Sequence, residues 1–198
     1  MKFVLATQNP KKLKEMSAIL SDLGVEVVSE ADLGVKVEVE ETGETFAENS
    51  LLKAKAVMEA TNLPAIADDS GLCVDALNGG PGVYSARFGG EGLDDTGRYR
   101  LLLQMLHGQA DRRAHFHTSI TCAFPNGDVL QDDGEVEGTI AFAPMGENGF
   151  GYDPVFFVPD KRKTFAQLSA EEKAEISHRG KALRAFKETL KNYLAEHQ

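Results

Sequence analysis

The sequence predicts an α/β fold in which a mixed β-sheet is flanked by helices. The chain opens with a short apolar segment, a loop and an amphipathic segment, which is the order of a βα unit. Alternating, β-branched segments lie on both sides of Asn126-Gly127, a pattern typical of a β-hairpin. The C-terminal segment carries apolar residues at helical spacing. Because βα units and a hairpin occur in one chain, we expect parallel and antiparallel strands in the same sheet.

The first half of the chain is predicted to contain two helices. Apolar residues recur at helical spacing from Lys11 until Gly24 ends the pattern. Thr45 and Glu48 form a capping box at the start of the second helix, and Pro64 marks its far limit. In order, the predicted elements are a strand over Lys2–Thr7, a helix over 11–23, an apolar stretch over Val25–Val28, a helix over 46–60, and a strand over Pro64–Ala67 that Leu72–Val74 could resume.

The second half is predicted to contain the hairpin and the remaining helices. Asn126-Gly127 is expected to supply the two positive φ angles of a type I′ turn. Ser169 and Glu172 form a second capping box, and Ser177 is expected to cap the last helix. The predicted elements are a loop over Gly79–Gly82, a helix over Arg98–Leu106, strands over Ala114–Phe124, Val129–Gln131, Glu137–Phe142 and Val155–Val158, and the C-terminal helix.

Length and charge restrict the class of protein. A chain of 198 residues is expected to fold as one domain, 1–198, without disulfides, so Cys73 and Cys122 are expected in the core. With 21 basic and 31 acidic side chains the net charge is −10, which opposes binding to nucleic acid or to anionic membranes. No apolar run is long enough for a leader or a membrane span, so we expect a cytoplasmic protein.

The segment Thr7–Lys12 joins the first strand to the first helix. Its helix N-terminus, hydroxyl, amide and two ammonium groups could hold phosphate at the carboxyl edge of a sheet. Taken alone, the same residues more often form an ordinary βα turn with a proline in the first helical turn. Neither GxxxxGK[ST] nor GxGxxG is present, so the familiar nucleotide loops are excluded.

Carboxylates occur in two short segments, Glu40-Glu41 and Asp68-Asp69. Phosphoryl chemistry needs a hard cation and a base that orients or deprotonates water, and carboxylate oxygens suit Mg²⁺. The alternatives are a turn in which the Asp68-Asp69 side chains bond the backbone and a solvated acidic loop around Glu40.

Two further segments could bind a ligand. In Gly149–Pro154, flanking glycines allow close approach, Phe150 offers a stacking face and Asp153 can accept hydrogen bonds. Lys173 and Ser177–Gly180 bring two cations and an imidazole to a helix junction, where an anion would be favoured. The alternatives are a loop with its aromatic residues in the core and a simple capped helix start. The strand residues His115 and His117 lack a third ligand nearby in sequence and are left out of the site.

Together these segments resemble the inosine/xanthosine triphosphate pyrophosphatase family, whose enzymes remove deaminated purine nucleotides. The resemblance runs from end to end, and Gln8 and Pro10 occupy positions where the family varies. The motifs that carry it are Thr7–Lys12, Glu40–Gly43 with Thr45-Phe46 and Glu48-Asn49, Lys53-Ala54, Ala67–Gly71, Pro81–Arg87, Phe150–Pro154 and Ser177–Gly180.

The resemblance implies a long central mixed β-sheet flanked by helices, two lobes with the active site in the cleft between them, and a homodimer. It implies a Mg²⁺-dependent hydrolase that converts a nucleoside triphosphate into monophosphate and pyrophosphate. Asp69 would be the base toward water, and Glu40 with Asp69 would bind the metal. The implied substrate-binding residues are Thr7, Asn9, Lys12, Lys53, Ser70, Phe150, Gly151, Tyr152, Asp153, Lys173, His178 and Arg179.

The sequence also allows three alternative functions. The chain could be a broader nucleotide pyrophosphatase that acts on modified or standard triphosphates. It could be a nucleotide-binding module without activity, although the lysines and carboxylates together argue against that. It could also be an acidic protein-interaction domain without nucleotide affinity.

Overall fold

The computed structural model describes residues 1–198 and contains five α-helices and eight β-strands. The helices are α1 (Pro10–Leu20), α2 (Phe46–Thr61), α3 (Asp95–Met105), α4 (Ala170–Ile176) and α5 (His178–Glu196). The strands are β1 (Lys2–Leu5), β2 (Glu26–Ser29), β3 (Ala65–Val74), β4 (Gly80–Pro81), β5 (Arg113–Ala123), β6 (Val129–Ile140), β7 (Phe156–Val158) and β8 (Lys163–Thr164). No helix has the length and apolar character needed to cross a bilayer.

All eight strands belong to one mixed sheet, as the sequence predicts. The strand order is β2-β1-β3-β5-β6-β7-β8, and β4 pairs with β3. β1 runs parallel to both β2 and β3, which is the arrangement that βα units produce. β7 runs antiparallel to β6 and to β8. The mixed sheet therefore follows from the mixture of βα units and direct reversals along the chain.

The chain divides into two compact units, each with its own hydrophobic core. Unit 1 comprises Met1–Asp69, Thr118–Gly134 and Ala182–Gln198. Unit 2 comprises Ser70–His117 and Glu135–Lys181. The boundaries fall within β3, β5, β6 and α5, so these three strands and this helix contribute residues to both units.

The core of unit 1 covers both faces of its part of the sheet. Successive side chains of a strand point to opposite faces. Phe3 packs in one buried cluster with Met16 of α1 and Phe186 of α5. Val4 packs in another with Val57 of α2. In unit 1, α1 and α5 therefore cover one face of the sheet and α2 covers the other.

The core of unit 2 is built around aromatic rings. Phe116 lies 4.5 Å from Phe156 and 5.6 Å from Phe165, measured between ring centroids. Leu102 of α3 and Tyr152 belong to the same buried cluster. Such rings contribute both buried area and preferred edge or offset contacts, which gives this unit a well-defined interior.

Two strands are longer than the sequence suggests. β3 continues through Asp68-Asp69-Ser70 without a break, and β6 is a single strand where two were predicted. The acidic residues of β6 are accommodated by hydroxyl donors: Asp133 accepts a hydrogen bond from Ser119 (2.5 Å), and Asp132 accepts one from Thr189 (3.1 Å). The prediction of two strands was wrong because these partners are distant in sequence.

The turn between β5 and β6 differs from the predicted type I′. Of its residues only Gly127 has a positive φ, +96°, while Pro125 precedes Asn126 and holds its own φ negative. The Gly127 N–H donates to the Phe124 carbonyl (3.0 Å), and the Phe124 N–H donates to the Asp128 carbonyl (2.9 Å). This pattern is that of a three-residue loop closed by a glycine bulge. The hairpin prediction held, but the turn type was wrong.

The predicted N-cap residues are confirmed, with small shifts at the helix starts, and Ser169 with Glu172 forms the predicted capping box. The predicted box of Thr45 and Glu48 was wrong in one half, because the Glu48 carboxylate accepts the Glu44 N–H and not the Thr45 N–H. Thr45 accepts a hydrogen bond from the Glu48 N–H, and Ser177 accepts one from the Gly180 N–H. α3 begins earlier than predicted because Asp94 caps it through the Gly97 N–H. The segment predicted as a loop over Gly79–Gly82 contains the short strand β4. Both cysteines are free and buried, as the sequence indicates.

Candidate active site

The loop after β1 is organised by its own hydroxyl and amide groups. Thr7 Oγ1 accepts a hydrogen bond from the Asn9 N–H (3.2 Å), and Asn9 Oδ1 accepts one from the Lys11 N–H (2.9 Å). Asn9 thereby caps α1, whose first residue is Pro10. The structure supports the helix-start interpretation of this segment, and the same geometry leaves a helix N-terminus at the carboxyl end of β1.

Lys12 of α1 pairs with a carboxylate of β3. Its ammonium lies 3.1 Å from Asp68 Oδ2 and 3.3 Å from Oδ1, and the Asp68 side chain is only 8% exposed. Lys12 itself is one-third exposed, with 33% of its side chain accessible. A buried carboxylate of an interior strand thus holds a partly exposed cation.

The side chains of Asp68 and Asp69 lie on opposite faces of the sheet. They are consecutive residues of one continuous strand, so their side chains must point apart. Ile66 packs in the buried cluster with α1, and Asp68, two residues later in the strand, points to the same face. Ala67 packs in the buried cluster with Ala54 of α2, and Asp69, two residues later in the strand, points to that face. Asp68 therefore pairs with α1, and Asp69 faces α2.

Lys53 of α2 connects three oxygen groups. Its ammonium donates to the Asp68 carbonyl oxygen at 2.6 Å and lies 3.1 Å from Glu41 Oε1. It also lies 3.7 Å from Asp69 Oδ1. The Lys53 side chain is 21% exposed, so the helix, the acidic loop and the strand meet around one largely desolvated cation.

The Asp69 carboxylate has a raised pKa. Burial raises the pKa of Asp69 to about 6, the ammonium of Lys53 opposes that rise, and the nearby Glu41 adds to it. Asn49 accepts a hydrogen bond from the Gly43 N–H (2.7 Å), and its side chain also acts to lower the pKa of Asp69. Asp69 Oδ2 is buried and has no hydrogen-bond partner. A buried acceptor without a partner is costly, so this oxygen is suited to a further ligand.

The donor set fits a hard cation that is shared with a substrate. No group of three or more His, Cys, Asp or Glu side chains is arranged to hold a metal ion by itself. Mg²⁺ in phosphate-binding sites uses one or two carboxylates together with waters and substrate oxygens, so a complete protein cage is not required. The unpartnered Asp69 Oδ2 meets this description. Glu40, the other predicted ligand, is exposed, and its carbonyl accepts the Thr42 N–H.

Unit 2 contains a largely buried ion pair between Lys173 and Asp153. The Lys173 ammonium lies 2.6 Å from Asp153 Oδ2, and the Asp153 side chain is 5% exposed. The same oxygen accepts the Phe150 N–H at 3.1 Å. Burial raises the pKa of Asp153 above its ordinary value, and the Lys173 charge and hydrogen bonds oppose that rise. Gly149 is required here because a Cβ at this position would collide with the Asp153 carboxylate.

Phe150 presents its ring to solvent above a cation. The residue is 72% exposed, and the Lys173 ammonium lies 4.7 Å from the ring centroid. Exposure of so large an apolar side chain costs hydration free energy, and a flat ligand that covers the ring would recover it. Phe150 therefore presents an exposed ring face, and its role as a stacking residue stays a prediction.

The remaining predicted residues of unit 2 have the following positions in the fold. Tyr152 is buried, and its hydroxyl donates to the Ser85 carbonyl at 2.7 Å. The Gly151 N–H donates to Asp95 Oδ2 at 2.9 Å. His178 stacks on Phe116, with ring centroids 4.8 Å apart. Arg179 follows it in the first turn of α5, and Ser70 is half-buried within β3.

Several contributing residues were not among the predicted site residues. Glu41 rather than Glu40 contacts Lys53, and Asn49 links the acidic loop to Asp69. The spacing of Asn49 and Lys53, four residues apart on one helix, was the available signal for Asn49. Ser85 lies in the motif Pro81–Arg87, whereas Asp95 gave no sequence signal. The excluded histidine His117 contacts Glu135 at 2.6 Å, a partner supplied by the neighbouring strand.

Comparison with known proteins identifies the family. A sequence profile described as the Ham1 family matches residues 3–189. The chain belongs to the Ham1 family. Among Ham1-family relatives, a Thermus thermophilus protein is 51% identical over 193 residues, which cover 97% of this chain and 93% of the relative. A Bacillus subtilis protein is 47% identical over 94% of this chain and 96% of its own length. Both are named dITP/XTP pyrophosphatase.

Solved Ham1-family structures share this fold. The Staphylococcus aureus Ham1 protein is 44% identical, with a TM-score of 0.93 over 98% of this chain and 100% of its own. A Mycobacterium abscessus protein described as nucleoside-triphosphatase / dITP/XTP pyrophosphatase is also 44% identical, with a TM-score of 0.82. The match covers 94% of this chain and 97% of that one. The resemblance inferred from the motifs is thus confirmed over the whole length.

Proposed function

We propose that this Ham1-family chain hydrolyses deaminated purine nucleoside triphosphates (ITP, dITP and XTP) to the monophosphate and pyrophosphate, which removes them from the nucleotide pool. One observation carries the proposal: Asp69 is a largely buried carboxylate beside Lys53, with a raised pKa and one buried oxygen that lacks a hydrogen-bond partner. It occurs in a chain that is about half identical to enzymes named dITP/XTP pyrophosphatase.

The triphosphate is assigned to residues of unit 1. Lys12 and Lys53 supply positive charge, and Thr7 and Asn9 form the helix start at which phosphate oxygens are favoured. Both ammonium groups are already oriented by carboxylates or a carbonyl. Preorganised charges of this kind stabilise a developing negative charge without the cost of reorganising at the moment of reaction.

Glu40 and Asp69 are the proposed ligands of Mg²⁺. When bound, the ion would neutralise phosphate charge and lower the pKa of an associated water. Glu40 is exposed and its segment is tied to α2 through Asn49 and Gly43, so the chain can bring this carboxylate toward a cation shared with substrate. Glu41 is occupied by Lys53, which favours Glu40 for the role.

Asp69 is the proposed base. Water attacks the α-phosphorus in line, an oxygen–phosphorus bond forms, and the bond to the pyrophosphate oxygen breaks. The proton of the attacking water passes to Asp69, and the electron pair of the broken bond stays with pyrophosphate. Without bound metal, a carboxylate with a pKa of about 6 is mostly ionised at neutral pH and can accept a proton.

The base and sugar are assigned to residues of unit 2, Ser70 among them. Phe150 stacks on the purine, and the donors and acceptors of Asp153, Lys173, His178 and Arg179 surround its polar edge, with Gly151 and Tyr152 completing the loop. Hypoxanthine and xanthine carry an oxygen acceptor where adenine carries an amino donor. A donor left unpaired by adenine costs about 1–3 kcal/mol, or roughly 10- to 150-fold in kcat/KM.

We further propose that the active form is a cytoplasmic homodimer that acts on free nucleotides and not on nucleic acid or membranes. The net charge of −10 supports the last point, because long polyanions are repelled while a triphosphate with its cation can enter a locally positive site.

A steady-state assay tests the proposed function. Inosine, deoxyinosine, xanthosine, adenosine and guanosine triphosphates are compared with Mg²⁺ present, and products are separated. Release of monophosphate and pyrophosphate, with inosine and xanthosine triphosphates strongly preferred, is the expected result. Comparable rates with all five would favour a broader pyrophosphatase. Absence of turnover, with a thermal shift on nucleotide binding, would favour an inactive binding module.

A further inference from the structure

The loop that carries Phe150 is held by two carboxylates on successive backbone amides. Asp153 Oδ2 accepts the Phe150 N–H at 3.1 Å, and Asp95 Oδ2 accepts the Gly151 N–H at 2.9 Å. Asp153 belongs to the loop itself, whereas Asp95 lies 56 residues earlier in the chain, in the first turn of α3. Asp95 is therefore the group that ties this loop to a separate helix.

α3 does not need Asp95 as its cap. Asp94 occupies that position and accepts the Gly97 N–H at 2.7 Å. An acidic residue in a first turn contributes a modest dipole interaction, but that interaction does not require a partner on another loop. The Asp95 carboxylate points instead to Gly151, so its hydrogen bond is additional to the ordinary capping of the helix.

The Phe150 ring depends on its backbone for its position. The residue is 72% exposed, so few packing contacts restrain it, and its side-chain contact is the Lys173 ammonium at 4.7 Å. A recognition residue is effective when its surroundings hold it in the productive geometry before the ligand binds. Here that restraint must come from the flanking amides and from Tyr152, whose hydroxyl bonds the Ser85 carbonyl.

We propose that Asp95 is a positioning residue for nucleobase recognition, which holds the Gly151 amide and so fixes the loop that presents Phe150. The inference rests on the proposed function of Phe150 as the purine platform. Asp95 acts through the loop and does not itself touch the substrate. Burial raises the pKa values of Asp153 and Tyr152, and the charge of Asp95 adds to the rise in both, which is consistent with its position beside them.

Three variants separate positioning from general stability. Asp95→Ala removes the carboxylate, Asp95→Asn keeps an acceptor oxygen without the charge, and Asp94→Ala removes the neighbouring cap of α3. We expect Asp95→Ala to raise KM for inosine triphosphate about 3- to 10-fold, with kcat changed less, since a charge-assisted hydrogen bond at an exposed position is lost. Asp95→Asn should recover part of this loss. Asp94→Ala should lower the Tm and leave KM near the wild-type value.

Amide hydrogen exchange supplies a readout that does not depend on activity. The Gly151 amide should exchange faster in Asp95→Ala than in the wild-type protein, and Asp94→Ala should leave it unchanged. Unchanged exchange at Gly151 in Asp95→Ala, or an equal rise of KM in Asp94→Ala, would overturn the inference. A wild-type protein without turnover would refute the proposed function instead, and the exchange experiment would still decide whether Asp95 restrains the loop.

Discussion

The ammonium of Lys53 lies 3.7 Å from Asp69 Oδ1 and donates a 2.6 Å hydrogen bond to the carbonyl oxygen of the preceding residue, Asp68. One side chain of α2 thus contacts both the backbone and a carboxylate of β3. Burial raises the pKa of Asp69, and Lys53 limits that rise without abolishing it. The balance leaves a carboxylate that can ionise at neutral pH and still accept a proton.

Replacing Asp69 with asparagine should abolish turnover and leave the fold intact. Removing a general base lowers kcat by about 10²- to 10⁴-fold, and asparagine is close in shape. A rate assay with inosine triphosphate and a circular dichroism spectrum test both parts. Near wild-type turnover in a folded Asp69→Asn protein would refute the assignment of the base.

The same substitution should stabilise the metal-free protein at alkaline pH. Because the folded-state pKa of Asp69, about 6, exceeds its ordinary value of 3.8, the stability that this group contributes at low pH is lost as pH rises through 6. At about pH 8, ionisation of the Asp69 carboxylate lowers the free energy of unfolding of the wild type, whereas Asp69→Asn has no group to ionise. We expect the free energy of unfolding to differ by about 1–2 kcal/mol after allowance for solvent screening. Denaturant unfolding with chelator should show the difference at about pH 8 and its decline toward about pH 4.5. Exposed Asp160→Asn serves as the control.

Lys12 and its neighbour Lys11 provide a matched pair for the triphosphate site. Lys12 is held by Asp68, whereas Lys11 is exposed and contributes only its amide to the Asn9 cap. Lys12→Met should lower kcat/KM for inosine triphosphate about 10- to 100-fold, because an oriented positive charge is lost. Lys11→Met should change it less than about 3-fold. Equal effects of the two variants would argue that only the net charge of the loop matters.

Phe150 and Phe142 are both highly exposed, at 72% and 82%, which makes Phe142 a control for Phe150. Phe150→Ala should raise KM for inosine triphosphate about 5- to 50-fold, since stacking of a base on an aromatic ring contributes about 1–3 kcal/mol. Neither variant should lower the Tm by much, because neither ring is buried. Phe142→Ala should retain wild-type KM. A wild-type KM in Phe150→Ala would remove the purine platform from the mechanism.

Binding of Mg²⁺ should depend on the ionisation of Asp69. A protonated carboxylate cannot bind the ion, so the thermal shift produced by excess Mg²⁺ with a non-hydrolysable triphosphate should shrink as pH falls below about 6. Asp69→Asn should show little shift at any pH, and Glu40→Gln should show a reduced one. A shift that is independent of pH in the wild type would count against Asp69 as a ligand.

Fold class, helix starts and family could be predicted without coordinates because they depend on local patterns. Thr45 caps α2 through a residue three positions away, and the strand–loop–helix order around Thr7–Lys12 is local as well. The motifs that placed Asp69, Lys53 and Phe150 in a nucleotide enzyme are equally short. Features of this kind depend on residues close together in the sequence, so they can be predicted without knowledge of long-range contacts.

The tertiary structure decided which of these residues act on one another. Side-chain direction alternates along a strand, so the continuity of β3 determined that Asp68 pairs with Lys12 while Asp69 faces Lys53. It also placed Asp95 against Gly151 across 56 residues of sequence. The pKa of Asp69 depends on burial, a property of the packed sheet and helices and not of the aspartate itself. Local sequence patterns were sufficient to predict the site residues. Packing between segments distant in sequence determines which residues they contact and the pKa of Asp69.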